Sequence, residues 1–287
     1  MKLVRYGAVG QEKPGLVDSA GRIRDLSAVL VEIDGSAVSP AALRRLAALD
    51  AATLPLAPPE SRLGVPLAGI GQFIAVGLNY VDHALESNMA IPAEPVLFTK
   101  AISSLSGPHD AVMLPKDSVR SDWEVELGVV IGTTARYVEE EHALDHVAGY
   151  CVVNDVSERE YQLDRGGTWD KGKGCETFGP IGPWLVTADE VGDPQALDMW
   201  LDVNAVRMQT GNTRTMIFGV KTLVSYISRF ITLRPGDVIT TGTPPGVGIG
   251  KKPPVYLKPG DVMTLGIEKL GQQRQAVVAW SAALVSV

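Results

Sequence analysis

Short apolar runs punctuated by glycine and proline dominate the hydrophobic pattern of the chain from residue 73 onward. The runs, rich in Val, Ile, Leu and Thr, cover residues 73–76, 125–131, 149–153, 184–186, 199–203, 238–241, 262–267 and 276–280. Runs of this length between turn residues are typical of strands. Patterns that favour helices occur at residues 41–49, 81–87, 139–145 and 222–230. The chain is therefore predicted to be mainly β with some helix, in the α+β class.

A proline-rich stretch separates a short leading segment from the rest of the chain. Residues 51–68 are rich in Ala and Leu and contain four prolines. Each proline fixes φ and removes a backbone donor, so this stretch is predicted to be a linker. We expect a small N-terminal domain with its linker over residues 1–68 and a main domain over residues 69–287.

The composition limits the classes of function. A chain of 287 residues with 45% hydrophobic residues can bury a substantial core. A formal net charge of −7 disfavours nucleic acid and anionic membranes as partners. With no apolar stretch approaching twenty residues and no signal-peptide pattern, we expect a cytoplasmic protein. The two cysteines, Cys151 and Cys175, are expected to be core residues rather than a disulfide or a metal pair.

Two glutamates, Glu124 and Glu126, stand two positions apart at the start of the apolar run 125–131. Residues two apart on a strand share one face. Two partly buried carboxylates side by side need protons or a cation to compensate them, and oxygen ligands suit Mg²⁺, Mn²⁺ or Ca²⁺. The alternative is an exposed strand face with two solvated glutamates.

A third carboxylate, that of Asp155, follows the apolar run 149–153 in a polar cluster. Strand ends are common places for ligands and metals. Asp155 could complete a three-carboxylate set with Glu124 and Glu126 and leave positions open for substrate, as a catalytic Mg²⁺ site requires. Taken alone, Asp155 is equally consistent with a turn that ends a strand.

One of the four histidines, His83, has a carboxylate at helical spacing. On the short predicted helix, Glu86 lies three residues after His83, so the two side chains share a face. A carboxylate orients an imidazole and raises its basicity, as a water-activating general base requires. An exposed pair on a loop helix is the alternative. His142 and His146 are also suitably spaced, but their acidic surroundings favour a solvated helix face over a metal site.

Two glycine-rich loops carry further polar groups. The loop over residues 165–183 contains Lys171 and Lys173, and the loop over residues 235–250 contains Thr243 and several free N–H groups that could bind a carboxylate or phosphate. A flexible surface loop is the alternative for the first. Neither loop has the spacing of a nucleotide-binding fingerprint, and the chain has no G-x-S-x-G or H-E-x-x-H motif.

Five segments, taken in order, resemble the fumarylacetoacetate hydrolase family over about residues 70 to 285. They are Gly-Leu-Asn-Tyr-x-x-His-x-x-Glu, Asp-Trp-Glu-Val-Glu-Leu-Gly-Val-Val-Ile-Gly, Asn-Asp-Val-Ser-Glu-Arg, Lys-Gly-x-x-Thr-Phe-Gly-Pro-Ile-Gly-Pro and Thr-Gly-Thr-Pro-x-Gly-Val-Gly. The leading segment resembles the small N-terminal domain of longer bacterial members. One departure is Cys175-Glu176 in place of the commoner Phe-Asp before Thr177.

The resemblance implies a mixed β-sandwich roll, usually a homodimer, with the site at the mouth of the roll. It implies Glu124, Glu126 and Asp155 as metal ligands and a His83–Glu86 dyad on a lid helix as the group that activates water. By position in the motifs, the remaining contacts would be catalytic Lys173 and substrate-binding Lys100, Arg159 and Thr243.

The function implied is a Mg²⁺- or Mn²⁺-dependent hydrolase, with Ca²⁺ as a further option, that cleaves the C–C bond of a β-diketo acid. An acylpyruvate would yield pyruvate and a carboxylic acid. Likeness to sugar-acid catabolic members favours a 2,4-diketo-3-deoxy sugar acid as substrate. The alternatives are ureidoglycolate lyase, oxaloacetate decarboxylase and 2-oxo acid isomerase, which share the same metal-enolate chemistry.

Overall fold

Strands account for most of the regular structure in the computed structural model, which describes residues 1–82 and 91–282. The strands are β1 (Lys2–Tyr6), β2 (Lys13–Val17), β3 (Ile23–Asp25), β4 (Phe73–Gly77), β5 (Val96–Thr99), β6 (Leu105–Ser106), β7 (Val112–Met113), β8 (Ser121–Asp122), β9 (Val125–Ile131), β10 (Val147–Asn154), β11 (Ser157–Glu158), β12 (Gly179–Thr187), β13 (Asp198–Val203), β14 (Val206–Asn212), β15 (Val238–Thr240), β16 (Val262–Ile267) and β17 (Gly271–Val278). The α-helices are α1 (Pro40–Ala47), α2 (Arg159–Leu163), α3 (Asp170–Lys173), α4 (Ala188–Val191) and α5 (Val220–Ser228). The predicted class, mainly β with some helix, is confirmed.

Two mixed β-sheets pack against each other to form the body of the roll. The larger has the order β3-β2-β1-β12-β10-β9-β15-β4-β5, with β6 beside β12, and the second has the order β14-β13-β16-β17-β7. Most pairs are antiparallel, and the pairs β15–β4, β12–β6 and β17–β7 are parallel. Leu127 of β9, Leu201 of β13 and Leu265 of β16 belong to one buried cluster between the sheets. The expected sandwich roll is thus confirmed.

Strand β9 is buried on both faces, which explains its uninterrupted apolar sequence. Val129 faces the cluster between the two sheets, whereas Val130 belongs to a second cluster with Leu3 and Ile33 of the leading segment. Successive side chains of a strand point to opposite faces, so each face of β9 needs its own apolar set. Every residue of β9 is buried.

The leading segment extends the larger sheet. Strand β1 pairs antiparallel with β12, and Leu3 lies opposite Leu185. Helix α1 begins at Pro40 because the hydroxyl of Ser39 accepts a hydrogen bond from the N–H of Ala42 at 3.3 Å. The first strands and the larger sheet therefore share continuous backbone hydrogen bonding.

The predicted helices differ from the observed ones mainly at their ends. Helix α5 begins two residues before the predicted segment 222–230, and the segment predicted at 139–145 is a 3-10 helix over Glu140–His146. Of the segment 81–87, residues 83–87 lie outside the described part of the chain. Cys151 is buried in the core, Cys175 is half-buried and both are free, as expected. Within residues 1–82 and 91–282, no helix has the length and apolar character needed to cross a membrane.

Candidate active site

The pairing of β9 with β10 brings the third carboxylate next to the first two. In this antiparallel ladder Val125 lies opposite Asn154. One step beyond the strand ends, the N–H of Asp155 donates to the carbonyl of Glu124 at 2.9 Å. Glu126 is two residues further along the same strand, so its side chain shares the face of Glu124.

The three carboxylates form a compact, buried group. Glu124, Glu126 and Asp155 each offer an oxygen within 4.8 Å of the others, and all three side chains are buried. This is the one group of three candidate ligands found in the described residues. The sequence-based expectation that they come together is correct. Hard oxygen donors in this number fit a divalent cation such as Mg²⁺ or Mn²⁺, with positions left for water or substrate.

Glu126 is held by neutral donors through one of its two carboxylate oxygens. Its Oε2 accepts hydrogen bonds from the hydroxyl of Thr240 at 2.5 Å and the N–H of Gly242 at 2.8 Å. A side chain at position 242, where φ is +93°, would place a Cβ 2.8 Å from Cβ of Asn79, so only glycine fits. Burial, followed by the charges of Asp155 and Glu124, raises the pKa of Glu126 well above its usual range. A divalent cation would offset both effects.

Lys173, at the end of helix α3, points its ammonium group between the carboxylates of Glu124 and Asp155. Its Nζ lies 2.8 Å from Oε2 of Glu124 and 2.7 Å from Oδ2 of Asp155. The side chain also covers the Phe98 ring at 5.1 Å. Burial favours the neutral amine, but the charges of Asp155 and Glu124 outweigh it and raise the pKa of Lys173. The lysine is therefore a buried cation that also lines the cavity described below.

Lys100 occupies a different place from the substrate contact that was expected. Its side chain is 0% exposed, and its Nζ donates to Oδ1 of Asp155 at 2.6 Å, the carbonyl of Lys173 at 2.6 Å and the carbonyl of Val156 at 3.3 Å. These three acceptors use all three ammonium hydrogens. Lys100 is not among the residues that line the cavity. The geometry favours a role in orienting Asp155 and the backbone of Lys173.

Arg159 connects Glu124 to Asp122, a residue that was not predicted from the sequence. Its guanidinium lies 2.7 Å from Oε1 of Glu124 and donates through Nε to Oδ2 of Asp122 at 2.8 Å. Burial alone would lower the pKa of Arg159, but the two carboxylates outweigh it and raise the pKa. Asp122 also accepts from the N–H groups of Gly248 at 2.7 Å and Ile249 at 3.0 Å. One signal was available in the sequence, since Asp122 precedes Glu124 by two residues and continues its alternation.

Gln162 is a second residue that was missed. It lies three residues after Arg159 on helix α2, and its Oε1 accepts from Nη1 of Arg159 at 3.0 Å. Gln162 lines the cavity, and within the described residues its one side-chain hydrogen bond is the one to Arg159. The spacing of three on a helix was the available signal.

The hydroxyl of Thr243 is committed to the protein. It donates to the carbonyl of Val125 at 2.9 Å and accepts from Nε2 of Gln209 at 2.8 Å. Gln209 reaches this point from β14 of the second sheet and also binds the N–H of Val125 at 3.0 Å. No pattern near residue 209 signals this contact, because it depends on packing between the two sheets.

Six of these residues line a cavity of about 520 Å³, namely Glu124, Glu126, Arg159, Gln162, Lys173 and Thr243. Its walls are largely apolar and aromatic away from the carboxylates. They include Leu78, Phe98, Leu163, Trp169, Ile249 and Pro254. The rings of Phe98 and Trp169 pack edge to face with centroids 5.4 Å apart. His83 and Glu86 lie outside the described residues, so their expected place over this cavity stays a prediction.

The charges of the buried groups suit an anionic ligand once a metal is bound. Asp122, Glu124, Glu126 and Asp155 are opposed by the cations Lys100, Lys173 and Arg159, so the ionised set carries one net negative charge. A divalent cation would change this to one net positive charge. A substrate carboxylate would then restore neutrality in a site of low dielectric.

Three known proteins illustrate what the chain is similar to. A curated protein of Burkholderia ambifaria is 63% identical over 277 residues, which cover 96% of this chain and 98% of that protein. Its name describes it only as a hydrolase, without a substrate. The structure of fumarylacetoacetate hydrolase from Exiguobacterium antarcticum is similar with a TM-score of 0.85 and 36% identity, covering 98% and 100% of the two chains. A maleylpyruvate hydrolase from Sphingobium sp. SYK-6, in complex with manganese (II) and pyruvate, is similar with a TM-score of 0.82 and 30% identity over the same shares.

The model of the fumarylacetoacetate hydrolase C-terminal domain matches residues 72–278. This range contains every charged residue of the site described above. It also begins close to the predicted start of the main domain at residue 69. The protein belongs to the fumarylacetoacetate hydrolase family.

Proposed function

We propose that the protein is a divalent-metal-dependent hydrolase that cleaves the C–C bond of a β-diketo acid. The observation that carries this proposal is the buried cluster of Glu124, Glu126 and Asp155 beside the Lys173 ammonium, of which Glu124, Glu126 and Lys173 line the cavity. A hydrolase of this kind must stabilise negative charge on the fragment that leaves as an enolate, and a cation and an ammonium at one point supply that stabilisation.

The metal would be Mg²⁺ or Mn²⁺, held by Glu124, Glu126 and Asp155. When bound, it supplies Lewis-acid polarisation of the 2-oxo acid end of the substrate. The manganese (II) and pyruvate in the similar maleylpyruvate hydrolase support both the metal and the product class. Lys100 holds the ligand Asp155 in place, and Arg159 holds the ligand Glu124 in place.

The chain's own residues would carry the remaining steps. Water attacks the distal carbonyl carbon, the C–C bond breaks, and its electron pair passes to the carbon that becomes the methyl group of pyruvate. Lys173 stabilises the developing charge or returns the proton to that carbon. His83, oriented by Glu86, takes the proton from the attacking water. This last assignment rests on the sequence motif alone.

Two polar groups are placed to bind the substrate. The guanidinium of Arg159 fixes Oε1 of Gln162, which leaves the amide N–H groups of Gln162 for a substrate oxygen. Because the hydroxyl of Thr243 already donates to Val125, we propose that Thr243 binds the substrate carboxylate mainly through its backbone N–H. Glycine-rich backbone beside it, at Gly242, lets a ligand approach closely.

The substrate class is an acylpyruvate or a 2,4-diketo-3-deoxy sugar acid. A panel of both, assayed with Mg²⁺ or Mn²⁺ while pyruvate release is followed, tests the proposal. We expect metal-dependent release of pyruvate with one equivalent of carboxylic acid. Absence of pyruvate from every member of the panel would contradict it. Oxaloacetate and ureidoglycolate in the same panel, with carbon dioxide and glyoxylate as products, test the decarboxylase and lyase alternatives.

A further inference from the structure

Two adjacent lysines, Lys251 and Lys252, line the same cavity as the carboxylate group. Lys251 is half-buried and Lys252 is exposed. Within the described residues, the ammonium group of Lys251 makes one polar contact, a long one of 3.5 Å from its Nζ to the carbonyl of Met208. Among residues 1–82 and 91–282, neither lysine forms a salt bridge with a carboxylate. We call this pair the lysine rim.

The lysine rim differs in this respect from the other cations of the site. Lys100, Lys173 and Arg159 are each bound to one or more buried carboxylates. Their charge is therefore already used within the protein. The charge of the lysine rim remains available to a ligand, and it stands out in a chain of net charge −7. Charge in a concave, low-dielectric wall attracts an oppositely charged ligand more strongly than charge on a flat surface.

The backbone that carries the lysine rim is fixed to the metal site. The N–H groups of Gly248 and Ile249 donate to Asp122, which also binds Arg159. The N–H of Lys251 donates to the carbonyl of Gly248 at 3.2 Å. Gly248 cannot be replaced without disturbance, since a Cβ there would lie 1.9 Å from the carbonyl oxygen of Val255 and 2.7 Å from Oδ1 of Asp122.

We propose that the lysine rim is a specificity element that binds a carboxylate of the substrate outside the metal site. The inference rests on the proposed function in that the substrate is a carboxylic acid. It names two residues that the motifs of the sequence do not include. Asp122 is, in this view, a positioning residue that holds the lysine rim at a fixed distance from Glu124 through Arg159.

The test compares the double variant Lys251→Gln/Lys252→Gln with the wild-type enzyme. The matched control is Lys221→Gln/Lys258→Gln, which removes two exposed lysines that lie outside this cavity. KM and kcat are measured with acetylpyruvate, which has one carboxylate, and fumarylpyruvate, which has two, at low and high salt. We expect KM to rise about threefold or more in the rim variant with kcat within about twofold of wild type, because ground-state charge attraction is lost. The increase of KM with salt should also become shallower.

The two substrates locate the carboxylate. A rise in KM for fumarylpyruvate alone would place the second carboxylate on the lysine rim. An equal rise for both would show that the lysine rim acts on the carboxylate next to the 2-oxo group, at the metal site, and would overturn the inference. A KM equal to that of the control variant for both substrates would also overturn it.

A binding measurement that needs no turnover distinguishes failure of this inference from failure of the proposed function. 2-Oxoglutarate, a 2-oxo acid that carries a second, distal carboxylate and has no β-diketone to cleave, is titrated calorimetrically into each protein loaded with Mn²⁺. If the wild type cleaves neither substrate, the proposed function fails, and the 2-oxoglutarate titration decides the present inference. Weaker 2-oxoglutarate binding in the rim variant than in the control supports it, and equal binding overturns it.

Discussion

The ammonium nitrogen of Lys173 lies 2.7 Å from Oδ2 of Asp155, so a lysine that faces the cavity and a candidate metal ligand share one buried carboxylate. Asp155 is also bound through its other oxygen to Lys100 at 2.6 Å. Two cations already attract this carboxylate before any metal binds. We therefore expect the site to stay folded without a bound metal.

Substitution of Glu126 by Gln is expected to weaken Mg²⁺ and Mn²⁺ binding by about 100-fold or more, because it removes one of three charged ligands from a buried site. Calorimetric titration of the metal measures this. Glu139→Gln, at an exposed position, is the control and should bind metal like the wild type. Unchanged affinity in Glu126→Gln would show that the three carboxylates are not the ligands.

Removal of the metal by a chelator should abolish activity but leave the fold. Lys100, Lys173 and Arg159 already compensate most of the buried negative charge. Far-ultraviolet circular dichroism should stay the same. Added Mn²⁺ should stabilise the folded state by mass action, by about 2.7 kcal/mol in the free energy of unfolding at 100 times Kd, and should therefore raise Tm. Unfolding on chelation would contradict this account.

Lys173→Met is expected to lower kcat by about 100-fold while metal affinity does not fall. The ammonium acts on charge that develops in the transition state, and it competes with the metal for Glu124 and Asp155. Steady-state kinetics and calorimetry separate the two effects. A loss of metal affinity equal to the loss of kcat would assign Lys173 a structural role instead.

Lys100→Met separates a positioning role from the substrate contact predicted by resemblance. The change leaves Oδ1 of the buried Asp155 and the carbonyl of Lys173 without their lysine donor, so we expect a loss of stability of about 3 to 5 kcal/mol and weaker metal binding. Denaturant unfolding and metal titration measure both. Lys258→Met is the surface control. A higher KM with stability and metal affinity unchanged would restore the role as a substrate contact.

Gly77 shapes the aromatic wall of the cavity. A Cβ at this position would lie 2.3 Å from Cζ3 of Trp169, so Gly77→Ala must displace the indole ring. We expect a higher KM for substrate in this variant, because the displaced ring narrows the cavity. The double variant Gly77→Ala/Trp169→Ala relieves the clash. The effects of the two substitutions on KM, expressed as free energies, should therefore not be additive. Strictly additive effects would refute the contact.

His83→Ala and Glu86→Ala are expected to lower C–C bond hydrolysis by about 100-fold or more, the scale of a general base. Metal binding should persist in both variants. Decarboxylation of oxaloacetate needs no activated water and should fall less than hydrolysis. An equal fall in the two activities would exclude these residues as the groups that activate water.

The alternation of polar and apolar residues along the sequence was sufficient to predict a strand at 125–131 and two carboxylates on one face of it. The recurrence of apolar residues at helical spacing located helix α5 within two residues, because a helix that packs on a core must carry its apolar residues on one face. Both ends of α5 lie two residues before the predicted ones, since the ends of a helix depend on local capping and backbone geometry.

Resemblance to a family added the residues that periodicity does not connect, such as Lys173. It also assigned Lys100 a direct contact with substrate that its full burial does not favour. A motif records that a residue type recurs at a position, and the direction of its side chain depends on the packing around it.

The sequence by itself determined the fold class, the family and the carboxylate group, because each of these follows from short-range patterns and ordered motifs. Only the tertiary structure decided what the cations do. It bound Lys100 to the back of Asp155, linked Arg159 to Asp122, committed the hydroxyl of Thr243 to Gln209 and left Lys251 and Lys252 without a carboxylate partner among the described residues. These contacts join residues far apart in the chain, and a long cationic side chain pairs with whichever carboxylate the packing places within its reach.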